Sequence, residues 1–360
     1  MLFRLVSFNV NGLRSYAKFV SERNTNINDY IRDRLKATVL CVQESRGSKS
    51  SLSEFYSLKD YIVFVSANET NPGKYGVATF IKKDFYCCGK EEVMNEFGEY
   101  NGEGRFLLTR HGTFNILNCY FPFVGECEFR SNDEKSKKKV NGAMRFYFYV
   151  ENYVKDRPNT ILCGDVNAVY SMKDTYIYQQ EFSRIQGKVL TVDHGIDSAD
   201  HLEHPAREDR NEHEKTDNEI FDGGRFVNPI ASQTELPFFF KNTKYLSEYF
   251  FELPNRKWLY RLIHECQFMD TYRMYSQREK VYSCWNSLLS LRKVNLGTRI
   301  DLILVHKVYA KNVMNADVMM NEYGSDHCPV IADFDIEVVA NGNNVLKRNN
   351  NLLSFFKPKL

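Results

Sequence analysis

The sequence predicts an α/β fold, and two observations carry that prediction. Short segments rich in β-branched and apolar residues recur along the chain, each bounded by Gly, Asn or Lys. Segments with apolar residues at helical spacing lie between them. Many strands with interspersed helices are typical of an α/β protein. With 360 residues, 43% of them hydrophobic, the chain can bury the core of one large domain or two modest ones.

Eight segments are predicted as strands, and three as helices. The strand segments are residues 2–8, 38–42, 61–65, 76–81, 114–120, 160–163, 300–304 and 330–332. The helical segments are residues 28–36, 142–155 and 256–265. The second helix is expected to end at Arg157-Pro158, because proline disfavours helical backbone in the residue before it.

Two regions depart from this alternation. Residues 183–245 are dense in Asp, Glu, His, Asn and Gly, which indicates an insertion or surface excursion. This region contains His194, His201, His204 and His213. No cysteine accompanies these histidines and their spacing is irregular, so we favour solvated loop histidines over a zinc site. Residues 341–350 are polar and Asn-rich, like a flexible linker. The predicted organisation is a domain over 1–338 and a tail over 339–360.

Charge and cysteine usage narrow the class of protein. A formal net charge of +2 does not by itself indicate a nucleic-acid binder, although a local basic face is compatible with it. Nine cysteines without a CxxC pair favour reduced thiols in a cytosolic or nuclear protein. No signal peptide is apparent, and no apolar run approaches the roughly 20 residues needed to cross a bilayer. We therefore expect a soluble intracellular protein.

Polar side chains cluster where the predicted strands begin or end. The loop 323–330 places Asp326 beside His327 just before a strand. The other clusters are Asn9 with Asn11, Gln43-Glu44, Tyr120, Asp165 with Asn167, and Arg299 with Asp301. Reactive groups are often held in this way on loops at the rim of a sheet.

This inventory suits the hydrolysis of a phosphoester. Carboxylate and amide oxygens are ligands for Mg²⁺ or Mn²⁺. Amide, phenol and imidazolium groups can donate hydrogen bonds to phosphate oxygens, and a carboxylate can deprotonate a water. Each cluster also has a structural alternative: a turn at Asn9 and Asn11, an Asx turn at Asp165, or ion pairs of Glu44 with Arg46 and of Asp301 with Arg299. Their joint occurrence favours metal-assisted attack of water on a phosphoester.

Taken in order, these motifs resemble the exonuclease III-type apurinic/apyrimidinic (AP) endonucleases of the endonuclease/exonuclease/phosphatase superfamily. The matching runs are Asn9-x-Asn11-Gly12-Leu13-Arg14, Gln43-Glu44, Tyr120, Gly164-Asp165-x-Asn167, Arg299-x-Asp301 and Ser325-Asp326-His327. Further runs resemble the second eukaryotic AP endonuclease branch: residues 143–147, 256–259, 270–273, and 283–286 leading to 295–299. That branch favours 3′–5′ exonuclease action and 3′-end cleaning over incision at abasic sites.

The resemblance implies a four-layer α/β sandwich, with two packed mixed β-sheets flanked by helices and the site at one rim. It assigns Mg²⁺ or Mn²⁺ to Glu44, assisted by Asn11, Asp326, Asp165 and Asn167. By the same resemblance, Asp165 positions or deprotonates the attacking water, and Tyr120 and Asn167 contact the scissile phosphate. His327, oriented by Asp301, donates a hydrogen bond to a phosphate oxygen. Substrate contacts are assigned to Asn9, Arg14 and Arg299.

Three departures from the family pattern bear on activity. Asn11 stands where many members carry Asp, although it matches the second branch. Thr298 stands where strong AP endonucleases carry a Trp that walls the pocket for an abasic sugar, so abasic incision is expected to be weak. The zinc-binding module that often ends the second branch is not expected, because no Cys or His follows residue 330.

The tail resembles the short motif that binds the sliding clamp PCNA. Asn349 replaces the usual Gln, while Leu352, Phe355 and Phe356 fit the aliphatic and aromatic positions. Lys357 and Lys359 add charge complementary to an acidic clamp. The alternative is a tail that folds back on its own domain.

The sequence admits three functions. The first is a metal-dependent DNA-repair nuclease, monomeric and nuclear, that acts on duplex DNA with 3′ ends or abasic sites and binds PCNA. The second is a phosphatase acting on inositol phosphates or lipids. It is disfavoured because such phosphatases carry a Trp-Cys-Asp-Arg stretch where this chain has Thr298-Arg299-Ile300-Asp301. The third is a non-catalytic clamp-binding protein, which the joint presence of Glu44, Asp165, Asn167, Asp301 and His327 disfavours.

Overall fold

Two β-sheets form the centre of the molecule. A computed structural model describes residues 2–85, 100–187, 236 and 239–336. Numbered in chain order, the first sheet contains β1 Leu2–Asn9, β2 Val39–Gln43, β3 Tyr61–Ser66, β4 Val77–Lys82, β10 Val313–Val318 and β11 Val330–Asp335. The second contains β5 Phe106–His111, β6 Phe114–Tyr120, β7 Thr160–Asp165, β8 Phe268–Asp270 and β9 Asp301–His306.

Both sheets are mixed. The strand orders are β10-β11-β1-β2-β4-β3 and β5-β6-β7-β9-β8. The pairs β1–β2 and β6–β7 are parallel, and the other named pairs are antiparallel. A connection between adjacent parallel strands must cross over the sheet, which here places helices on the outer faces.

Helices lie outside the two sheets and in the connections between strands. They are α1 Leu13–Ser21, α2 Ile27–Asp29, α3 Glu126–Arg130, α4 Glu134–Lys155, α5 Tyr176–Ile185, α6 Thr243–Glu252, α7 Pro254–His264 and α8 Thr271–Tyr275. A π-helical turn, Tyr30–Arg34, continues α2.

Hydrophobic clusters fill the spaces between four layers. One cluster lies between the sheets and includes Leu5, Cys41, Ile116, Ile161 and Ile303. Another lies between the first sheet and α1 with the 27–35 segment, and a further one lies between the second sheet and α4 with α7. With both faces covered, β2 is buried throughout, and its residues before Gln43 are all apolar. The predicted four-layer α/β sandwich is confirmed.

The eight predicted strands and three predicted helical segments are present, and the segment 28–36 is α2 followed by the π-helical turn. Most boundaries differ by a few residues, and the largest difference is at the start of α4. The helix predicted from residue 142 begins at Glu134, because the Asp133 side chain accepts a hydrogen bond from Ser136 N and caps it there. Residues 183–185 and 243–245 belong to α5 and α6, while most of the predicted insertion lies outside the described residues. The histidines of the predicted insertion and the tail also lie outside the described residues. Within the described ranges, no helix is long and apolar enough to span a membrane.

Candidate active site

The strand registers bring the predicted polar residues to one rim of the sandwich. Asn9 lies opposite Gln43 at the ends of β1 and β2. Tyr120 lies opposite Asp165 at the ends of β6 and β7. Because β9 runs antiparallel to β7 and starts at this rim, Asp301 also lies opposite Asp165. The two sheets thus offer amides, a phenol and carboxylates along one edge.

Asn9 joins the two sheets at this rim. Its Nδ2 donates to Glu44 Oε1 at 3.0 Å and to Asp165 Oδ2 at 2.9 Å. Its Oδ1 accepts from Asn11 N at 3.1 Å, and the residue is fully buried. Both of its amide hydrogens are committed to these carboxylates, which Asn9 therefore positions. That Asn9 contacts the substrate stays a prediction.

Asp301, His327 and Asp165 form a buried trio. Asp301 Oδ2 lies 2.8 Å from His327 Nδ1, and Asp165 Oδ2 lies 3.9 Å from His327 Nε2. Ser283 Oγ accepts from Asp301 N at 3.0 Å and holds the start of β9. Asn167 N donates to Asp165 Oδ1 at 3.1 Å. The imidazole is thereby oriented by one carboxylate and faces the other.

The pKa shifts of this trio follow from burial and charge. Burial and the negative charge of Asp301 raise the pKa of Asp165 to about 7, against the opposing effects of His327 and Asn9. Burial alone would lower the pKa of His327, but the Asp301 carboxylate and the Cys284 side chain raise it well above its usual value. Near neutral pH the trio therefore contains an imidazolium beside a carboxylate that can gain or lose a proton.

Asp326 points away from this trio, toward the loop after β1. Its Oδ1 accepts from Asn11 Nδ2 at 3.0 Å and lies 3.3 Å from Ser325 Oγ. Ser325 Oγ also lies 2.8 Å from the carbonyl of Asn9, to which it donates. The preceding Gly324 has φ +102°, and a Cβ there would lie 2.4 Å from the Phe19 ring. The neighbouring side chains therefore bind different residues: Asp326 binds Asn11, and His327 binds Asp301.

Glu44 is bound by Asn9, by Arg46 and by the Tyr120 hydroxyl. Its Oε1 accepts from Asn9, and its Oε2 accepts from Arg46 Nε at 2.8 Å. The Arg46 ion pair considered from the sequence is present, and it lies in the same array as Asp165. A cation bound at Glu44 would compete with Arg46 for Oε2.

Tyr120 and Asn167 line the same rim and are half-buried. Burial and the charges of Glu44 and Asp165 raise the pKa of Tyr120 well above its usual value, so its hydroxyl stays protonated and can donate. The Arg105 guanidinium lies 3.7 Å from the Tyr75 ring centroid and 5.5 Å from that of Tyr120. Asn167 Nδ2 donates to the Phe121 carbonyl at 2.9 Å, which turns its Oδ1 away from that carbonyl.

Three site residues adopt left-handed backbone. The φ angles are 51° at Asn11, 52° at Glu44 and 48° at Asn167. Asn tolerates this conformation, whereas it is uncommon for Glu. Such positions cluster at functional sites when the surroundings over-determine them.

Two assigned substrate contacts lie outside this array. Arg14 is exposed near the start of α1, and its Nε is 3.6 Å from Glu54 Oε1. Arg299 is only 1% exposed, with Nε 2.9 Å from Asp174 Oδ1 and Nη2 2.7 Å from Asp270 Oδ2. Its guanidinium is enclosed by these two carboxylates. That Arg299 contacts the substrate stays a prediction.

The donors at this rim fit a divalent cation. Asp165, Asp301 and His327 offer ligand atoms that all lie within 4.8 Å of one another. The Nδ1 of His327 is already bonded to Asp301, and its Nε2 faces Asp165. On the other side of Asn9, Glu44, Asn11 and Asp326 bring further oxygen atoms to the same rim.

Comparison with known protein families identifies the chain at the family level. A model described as "Endonuclease/Exonuclease/phosphatase family" matches residues 6–327. The chain belongs to this family. The resemblance seen in its motifs is thereby confirmed.

Several relatives in the family are similar over most of this chain. DNA-(apurinic or apyrimidinic site) endonuclease 2 of Mus musculus is 23% identical over 94% of this chain and 61% of its own length. The protein of the same name from Saccharomyces cerevisiae is 24% identical, over 92% of this chain and 66% of its own length. An exodeoxyribonuclease of Bacillus subtilis is 22% identical over 91% of this chain and 97% of its length. The chain thus spans 61% of the mouse relative.

A solved structure shares the fold. The catalytic domain of Xenopus laevis APE2 superposes with a TM-score of 0.59 at 21% identity, covering 91% of this chain and 90% of that one.

Proposed function

We propose that this chain is a metal-dependent DNA phosphodiesterase that acts mainly at 3′ ends, as a 3′–5′ exonuclease and 3′-phosphodiesterase. The proposal rests on the array Glu44–Asn9–Asp165 beside His327–Asp301. This array unites oxygen ligands, a proton acceptor and a cationic donor at one rim. Relatives named AP endonuclease 2 and exodeoxyribonuclease support DNA as the substrate.

Asp165 is the proposed general base. Its pKa of about 7 lets the carboxylate exist at neutral pH and remain basic enough to take a proton from water. The water oxygen bonds to phosphorus while the bond from phosphorus to the 3′ oxygen breaks, and the released 3′ oxygen takes a proton from solvent to become a hydroxyl. Protonated His327, held by Asp301, donates to a phosphate oxygen as charge develops there. Tyr120 and Asn167 supply further polar contacts to the scissile phosphate.

Glu44, Asn11 and Asp326 would hold the metal ion, with Asp165 and Asn167 next to it. When bound, Mg²⁺ or Mn²⁺ would neutralise phosphate charge and stabilise the leaving oxygen.

Thr298 supports action at 3′ ends over abasic incision. Its side chain is half-buried, and its hydroxyl donates to Thr175 Oγ1 at 3.4 Å. A small polar residue at this position gives no aromatic wall against a flipped-out sugar. We therefore propose weak incision at abasic sites.

A substrate panel tests this function. The purified chain with Mg²⁺ or Mn²⁺ is given a duplex with a recessed 3′ end, a duplex with a 3′-phosphate block, an abasic duplex and an inositol polyphosphate. We expect shortening or unblocking of the first two, slower cleavage of the third, and no reaction when EDTA is added. Phosphate release from the inositol compound alone would contradict the proposal.

The pH dependence of cleavage should report Asp165. Because the unprotonated carboxylate is the active form, the single-turnover rate should rise about tenfold per pH unit below about pH 7 and level off above it. Loss of rate above the plateau should follow deprotonation of His327, whose pKa is raised. A rate that stays constant through this pH range would remove Asp165 from the role of base.

The tail over 339–360 is proposed to tether a monomeric enzyme to PCNA in the nucleus; it lies outside the described residues. Changing Phe355 and Phe356 together to Ala should abolish binding to purified PCNA, because the two aromatic anchors are lost. Calorimetry measures the binding, and cleavage of free DNA should be unchanged. The matched control, Phe355→Tyr, keeps both rings and should retain most of the binding. Equal affinity of the double variant and the wild type would refute the tether.

A further inference from the structure

Arg292 is surrounded by backbone carbonyls of the loop that carries Asp326 and His327. It lies in a short 3₁₀ helix, Leu291–Val294. Its Nη1 donates to the carbonyls of Ser325 at 3.0 Å and His327 at 3.3 Å. Its Nη2 donates to the carbonyls of Met320 at 2.8 Å and of Glu322. One side chain thus binds four carbonyls within residues 320–327.

Two aromatic rings fix the plane of this guanidinium. The centroids of Trp285 and Tyr323 each lie 4.5 Å from its central carbon. Trp285 is itself bound to the loop, since its backbone N–H donates to the Asp326 carbonyl at 2.9 Å. Its indole Nε1 donates to Asn295 Oδ1 at 3.2 Å. The segment 285–295 and the loop 320–327 are therefore held together around Arg292.

Residues 321–327 belong to no named strand or helix, so their carbonyls need partners from elsewhere. A guanidinium offers five N–H donors in a rigid planar fork and can also stack on aromatic rings. Lysine has three donors on a point charge and no flat face. The combination of four carbonyls and two rings therefore requires arginine, and lysine cannot replace it.

We propose that Arg292 is a positioning residue for the reaction: it sets the places of Asp326 and His327 through their backbone and does not touch the substrate. This inference rests on the proposed function for its kinetic consequence. A displacement of about 1 Å at a catalytic group can lower the rate about 100-fold. The loss should appear in kcat, because no contact with DNA is removed.

Two variants test the proposal by single-turnover and steady-state cleavage of a recessed duplex. Arg292→Ala and Arg292→Lys should each lower kcat about 100-fold with KM nearly unchanged. Added guanidinium ion should restore part of the Arg292→Ala rate. The matched control is Arg157→Ala, because Arg157 also donates to a carbonyl, that of Tyr153 at 2.9 Å, and stacks on that ring just after α4. An unchanged kcat for both Arg292 variants, or a rise in KM instead, would overturn the proposal.

A second readout does not depend on nuclease activity. In protein labelled with ¹⁵N-histidine, the signal of His327 is the one lost in His327→Gln. That signal should shift or broaden in Arg292→Lys and stay in place in Arg157→Ala. A His327 signal that does not move in Arg292→Lys would overturn the positioning role. If the signal moves in Arg292→Lys but the wild-type protein cleaves no DNA, only the proposed function is contradicted.

Discussion

Replacing Asp165 with Asn is expected to lower kcat for DNA cleavage by about 10²- to 10⁴-fold, the range for loss of a general base. The amide keeps the shape of the side chain. Its oxygen can still accept from Asn167 N, but its Nδ2 then replaces the oxygen that accepts from Asn9, so that hydrogen bond is lost as well. The amide cannot take a proton from water, and it removes the negative charge that faces His327 Nε2 at 3.9 Å. DNA binding should therefore persist while the chemical step is lost.

Single-turnover cleavage measures the chemical step, and fluorescence anisotropy with EDTA measures binding. The control is Asp317→Asn, because Asp317 is an exposed acid paired with Arg278 at 2.9 Å. A rate for Asp165→Asn close to that of the control would show that another group, or a contaminant, performs the reaction.

Replacing Arg299 with Ala is expected to lower the free energy of unfolding by about 3–5 kcal/mol, as for other buried ion pairs that lose one partner. Asp174 and Asp270 are both buried, and they lie 2.9 Å and 2.7 Å from the guanidinium nitrogens. Arg273 also binds Asp174, at 2.5 Å, but one cation cannot balance two carboxylates. Removing Arg299 therefore leaves a buried negative charge without compensation.

Urea unfolding followed by tryptophan fluorescence provides the measurement. The matched control is Arg278→Ala, an arginine whose ion pair with Asp317 is exposed and should be worth no more than about 1 kcal/mol. If Arg299→Ala lost no more stability than this control, the buried network would not be a stabilising element.

Much of the site could be predicted because its residues flank apolar strands. The ends of β1, β2, β6 and β7 are visible as apolar runs that stop at a polar residue, and parallel neighbours must end at the same rim. Asp326 and His327 precede an equally clear strand, β11. The position of Asp301 opposite Asp165 follows only once β9 is known to be antiparallel to β7.

The partners of Asn9, Arg299 and Arg292 could not be predicted, since they are distant in sequence. Arg299 binds Asp174 across 125 positions, whereas Asp301, the partner considered for it from the sequence, binds His327. Arg299 lies before the start of β9, so the alternation of strand side chains does not fix where it points. Arg292 binds carbonyls, which carry no sequence signal.

The start of α4 could not be predicted because its first residues lack a helical pattern of apolar side chains. Residues 134–139 are mostly charged, so they lack the apolar spacing by which a helix is recognised. The cap at Asp133 is the available signal, and it is short and common. Strands β5, β8 and β10 were not predicted either. β8 has only three residues, and β10 alternates exposed and buried residues irregularly around a register shift.

We infer that the Asp165–His327–Asp301 trio performs metal-dependent cleavage of DNA from a 3′ end, and one experiment addresses this directly. It follows a recessed strand labelled at its 5′ end under single turnover with Mg²⁺, for wild type, Asp165→Asn and Asp301→Asn. We expect a ladder of shorter strands from wild type, abolished by EDTA and slowed at least about 100-fold in both variants. Equal shortening by all three proteins, or cleavage that does not depend on metal, would show that the trio does not perform this reaction.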